Sequence, residues 1–162
     1  MIPEMITTAY LSIGTNGYSE SAQFISTQIA RSQTELRRPE FYFSIMKKVL
    51  PDLMAVASDG VESGWDGYDA RPVTKGTFDR AIAFLESLPN SIHTPTVGAE
   101  PDGHITFEWY SSPHRLLSVS VSPEGDLHYA ALIGHNRAYG TEMFFGEAPK
   151  EILGLIRRID VV

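Results

Sequence analysis

The chain is predicted to be an α+β protein: an antiparallel sheet of about four to five strands in the C-terminal half, packed by N-terminal helices and a C-terminal helix. Three observations predict this. Residues 101–134, PDGHITFEWYSSPHRLLSVSVSPEGDLHYAALIG, hold three runs of alternating apolar and polar residues separated by turn-forming clusters, which is the pattern of a meander with one dry and one wet face. Helical periodicity lies before and after that stretch rather than between its strands, so the order is not βαβ. Four strands alone would leave their apolar face wet, so the helices must cover it. With 162 residues the chain is expected to form a single domain, 1–162, in which 1–62 is mainly helical. Residues 63–162 then supply a loop, a helix, the meander and a last helix.

The elements follow in order. Ile6 to Ile13 reads as a short strand, ended by the turn Gly14-Thr15-Asn16-Gly17. Ser19 can cap a helix in which Ala22, Ile25 and Ile29 recur at helical spacing, and Pro39 breaks it. Phe41 to Val49 reads as a second helix with Lys47 and Lys48 near its end, where they would complement the last carbonyls. Pro51 restarts a short helix containing Leu53, Met54 and Val56, and Asp59-Gly60 stops it.

Residues 63–73, SGWDGYDARPV, carry two glycines and a proline among charges and aromatics, so they read as a loop. Thr74 can cap the next helix, whose face is Phe78, Ala81, Ile82, Leu85 and Leu88; Pro89-Asn90 ends it. Thr96 to Gly98 is a candidate edge strand. In the meander, Ile105, Phe107 and Trp109 share one face with Leu117, Val119 and Val121, and with Leu127, Tyr129, Ala131 and Ile133. Ser111-Ser112-Pro113 and Pro123-Glu124-Gly125-Asp126 supply the turns. Tyr139 to Phe145 reads as the following strand. Pro149 opens a last helix with the stripe Ile152, Leu155, Ile156 and Ile159.

Composition excludes several chemistries. With no cysteine there is no disulfide framework, no thiolate nucleophile and no Cys-based zinc site, which fits a cytoplasmic protein. No apolar run approaches the roughly 20 residues that cross a bilayer, and MIPEMITTAYLSIG lacks the basic start of a signal peptide. The net charge of −7 is concentrated in residues 51–110, which hold three Lys/Arg against ten Asp/Glu. That field, with a pI near 5.1, repels nucleic acid and would steer a basic partner.

Five segments carry a family likeness: GWDGYDARPV (64–73), FLESLP (84–89), PDGHITFEW (101–109), LLSVSVSPEGDLHYAALIG (116–134) and GTEMFFGEAP (140–149). Through them the chain resembles an uncharacterised family of small bacterial and phage-associated proteins over about its last 100 residues. The resemblance implies an accessory, antitoxin-like or defence-linked role, and it transfers no activity, cofactor or catalytic residue.

Two clusters stand out on the residues themselves. Trp65, Asp66, Tyr68 and Asp69 combine aromatics with acids in one loop, the mixture that anchors partner contacts. Beside that stands a structural account: Trp65 tucked under the sheet, Asp66 capping the turn and Gly67 at positive φ. On the wet face, Thr106, Glu108, Tyr110, Ser118, Ser120 and His128 are exposed by alternation. Glu108 and His128 would make an acid–base pair if their strands were in register, although a solvated face is the plainer account.

None of the five histidines stands in an H-x-x-x-H relation, and no G-x-G-x-x-G, Walker or G-x-S-x-G spacing occurs. The expectation is therefore a non-catalytic protein-interaction module that binds a protein partner or itself, without cofactor or metal, nucleic acid or membrane. The alternative is a small hydrolase or transferase using Glu108, His128 and Arg115.

Overall fold

The computed structural model describes residues 43–160. The strand expected at Ile6–Ile13, its turn and the helix capped by Ser19 lie outside the described residues. Within them the order is α1 (Phe43–Asp59), α2 (Lys75–Ser87), β1 (Thr96–Ala99), β2 (Ile105–Ser112), β3 (Arg115–Val121), β4 (Asp126–Ile133), β5 (Asn136–Met143) and α3 (Lys150–Asp160). The strands form one antiparallel sheet in the order β1-β2-β3-β4-β5, as the α+β reading expects, with the candidate edge strand in place.

α1 corrects the two-helix reading. It runs unbroken through Pro51 for 17 residues. The reason is tertiary: Ile45, Val49, Leu53 and Ala57 form one buried stripe only if the helix continues, while Pro51 faces solvent. An interior proline costs about 3 kcal/mol, and burying each large aliphatic side chain returns about 1.5–3 kcal/mol. Lys47 and Lys48 consequently stand inside a long helix, away from its terminal carbonyls.

α2 is capped as expected, because Thr74 Oγ1 accepts from Thr77 N–H at 3.1 Å. Its core face holds Phe78, Ala81, Phe84 and Leu85, with Ile82 half-buried and Leu88 buried just past the end. The stripe of α3 is the expected one, and Pro149 O accepts its first bond from Leu153 N.

Sheet register arranges the core in rows. Ile105, Val121 and Leu127 lie side by side, as do Phe107, Val119 and Tyr129, and Trp109, Leu117 and Ala131. α1 packs against β1 and α2, α2 against β2 and β3, and α3 against β2 to β4. All join one hydrophobic core on one side of the sheet. Trp109 is buried, and its indole N–H donates to His93 O at 2.9 Å, tying the α2–β1 connection to the sheet.

β5 begins earlier than the expected Tyr139. The β4–β5 link is the two-residue turn Gly134-His135, with Gly134 at φ 65°, so pairing resumes at Asn136. The β2–β3 turn is likewise Pro113-His114, with a register irregularity between Tyr110 and Ser112.

Candidate functional site

The loop of residues 63–73 is held by its own bonds. Trp65 Nε1 donates to Arg71 O at 3.1 Å, and Asp66 Oδ1 accepts from the backbone N–H groups of Tyr68 (2.9 Å) and Ala70 (3.3 Å). Gly64 and Gly67 sit at φ 74° and 82°. Trp65 is half-buried and stands outside the core cluster, not beneath the sheet. Of the four residues expected to meet a partner, Trp65 and Asp66 therefore build the loop, while Tyr68, 84% exposed, and Asp69 are what it presents.

This loop also supports the next one. Arg71 N–H donates to Pro101 O at 2.8 Å, and a side chain on Gly103 would meet Pro72 O at 2.9 Å. Gly103 is at φ 86°, so glycine is required there twice over, by conformation and by contact. Two segments far apart in sequence, GWDGYDARPV and PDGH, thus pack as one corner beside the sheet.

From that corner the β1–β2 turn reaches over the sheet face opposite the helices. Register places Gly98, Thr106, Ser120, His128 and Thr141 in a single row across all five strands on that face. Glu100 Oε1 accepts from Ser120 Oγ at 2.6 Å and from Thr106 Oγ1; the two hydroxyls lie 3.0 Å apart. His104 and His128 stack with ring centroids 5.5 Å apart and planes 9° from parallel, and His128 Nδ1 pairs with Thr141 Oγ1 at 2.9 Å. Asp102 Oδ1 accepts from His104 N–H at 3.2 Å, and Asp102 Oδ2 lies 3.4 Å from His104 Nδ1. One potential ligand atom from each of Glu100, Asp102 and His104 falls within 4.8 Å of the others. Sequence reading missed this group because no helical histidine spacing marks it. The alternation E-x-D-x-H over Glu100 to His104 is the signal that could have found it.

The acid–base trio does not assemble. Glu108 belongs to the row of Ser118 and Ala130, whereas His128 belongs to the row of Thr106, Ser120 and Thr141. Two inter-strand spacings and two residues along the strand separate them, ~12 Å between Cα atoms from standard sheet spacings. Arg115 alternates with Leu117 onto the helix-covered face, and its guanidinium donates to Arg158 O of α3 at 3.3 Å. Carboxylate, imidazole and guanidinium consequently have no common centre.

At the far end of the open face, Tyr110, Leu116 and Leu132 share a row with Arg137, and Ala130 and Tyr139 share the next with Glu108 and Ser118. Tyr139 is 82% exposed and Tyr110 is exposed there too, whereas Met143, paired with Asp126, is exposed at the opposite end of the face, with Phe145, 83% exposed, just beyond it. A shallow cavity of about 200 Å³ between the end of β2 and α3 is lined by Trp109, Tyr110 and Asp160. Asp160 Oδ1 and His93 Nδ1 are 2.7 Å apart at its rim. Among the described residues no helix is long and apolar enough to cross a membrane. The chain matches no family model, no curated protein and no solved structure.

Proposed function

We propose that this chain is a non-catalytic protein-interaction module whose partner, another protein or a second copy of the chain, seats on the open face of the sheet. The observation that supports this most is the distribution of cover. Among the described elements, α1, α2 and α3 share one side, while the opposite side presents Tyr110, Tyr139 and Met143, with Phe145 at its rim. Aromatics held on a sheet give large contact area at little conformational cost, and such side chains dominate binding hot spots. Tyr68 and Asp69, at the tip of a loop that holds itself rigid, are the second contact in this reading. An accessory, antitoxin-like or defence-linked role is supported by the family resemblance alone, and a cytoplasmic location by the absence of cysteine alone.

The test compares Tyr110→Ser/Tyr139→Ser with Tyr68→Ser. Sedimentation of the purified chain over a concentration series reads self-association, and cross-linking in cells followed by mass measurement reads a foreign partner. The double substitution on the sheet is expected to abolish the captured species while far-ultraviolet dichroism stays unchanged. Capture that survives it moves the interface off this face.

A further inference from the structure

Beyond the docking surface, we propose that Glu100, Asp102 and His104 form a binding site for a divalent first-row cation such as zinc or manganese. The donor set is one imidazole and two carboxylates, the mixture of nitrogen and hard oxygen that such ions take. Their potential ligand atoms lie within 4.8 Å of one another, so a single point stands no more than about 2.8 Å from all three. A small side-chain adjustment shortens that to the roughly 2.0–2.2 Å of zinc bonds.

The supports resemble those of built metal sites. The Glu100 carboxylate is oriented by two hydroxyls from neighbouring strands, Thr106 and Ser120, the role that outer-shell donors play around metal ligands. His104 is mostly buried, and its ring is held against His128. Asp102, by contrast, is half exposed and leaves an entry path from solvent. Asp102 Oδ2 lies 3.4 Å from His104 Nδ1, so a cation can be shared between the two groups.

Titration calorimetry of the purified full chain with zinc chloride, manganese chloride and magnesium chloride tests this. One zinc or manganese ion per chain is expected, bound at least about tenfold more tightly than magnesium because of the imidazole. Asp102→Asn and His104→Ala should each abolish saturable binding, and Thr106→Val should weaken it about tenfold. His114→Ala removes one member of a second stacked pair, His114 and His135, at 6.2 Å, and should leave binding unchanged. Should a variant fail to fold, zinc-induced shifts of the His104 imidazole signals in the unaltered chain carry the same test. Binding that survives His104→Ala, depends on His114, or matches magnesium is an adventitious ion only, and it overturns the proposal, as does the absence of saturable binding.

Discussion

Replacing Asp66 by alanine separates a loop that builds itself from a loop that only greets a partner. Asp66 Oδ1 accepts two backbone N–H groups, from Tyr68 at 2.9 Å and Ala70 at 3.3 Å. A side-chain cap of this kind contributes about 0.5–2 kcal/mol. The longer bond contributes at the low end, and the exposed Tyr68 N–H recovers a water, so about 1–2 kcal/mol is the expected loss. For a chain of this size one kcal/mol shifts the midpoint by about 2–4 °C, so Asp66→Ala should lower Tm by about 2–8 °C. Trp65→Phe removes one bond to an exposed carbonyl and should cost about 1 kcal/mol. Tyr68→Ala, at 84% exposure with no side-chain bond in the loop, should stay within about 0.5 kcal/mol. Calorimetric melts of the three variants measure this ranking. A Tyr68→Ala loss equal to that of Asp66→Ala, or no loss for Asp66→Ala, refutes the assignment of roles within the loop.

Three further outcomes are expected. Pro51→Ala restores a helical N–H on the solvent side of α1 and should stabilise the chain by up to about 3 kcal/mol in denaturant titrations. Gly140→Ala places a Cβ 2.7 Å from Tyr129 Oη, so it should destabilise by about 1–3 kcal/mol, and Tyr129→Leu should relieve most of that in a double-mutant cycle. The Tyr129 hydroxyl titrates above a tyrosine's ordinary 10.0, because burial disfavours the phenolate and Glu151 and Glu142 repel it. The unfolded chain then loses this proton first. Stability that is present below about pH 10 should fall as pH rises toward the higher folded value, and Tyr129→Phe should flatten the decline in alkaline melts.

Much of the fold was legible along the chain. Alternation in residues 105–133 determined which side chains turn inward, because a strand's period of two leaves no choice once one face is apolar. The stripe of α3 and the Thr74 cap were legible for the same reason: each depends on neighbours within a turn or two. What eluded local reading depended on contacts across the chain. Pro51 sits within a helix because Ile45, Val49, Leu53 and Ala57 need one continuous stripe against β1 and α2, a demand invisible to propensity. β5 starts at Asn136 because a two-residue turn at Gly134 brings pairing back at once, and Asn136-Arg137 shows no strand pattern of its own.

The chemistry divides in the same way. Residue types alone determined that thiol chemistry is absent and that the acidity is concentrated in one segment. Tertiary structure decided which polar groups meet. Strand register put Glu108 and His128 in different rows and turned Arg115 to the other side of the sheet. The GWDGYDARPV loop, bonded to Pro101, settled the β1–β2 turn so that Glu100, Asp102 and His104 converge above Thr106 and Ser120. Alternation reports a side chain's face but not its row, and rows exist only after strands have paired.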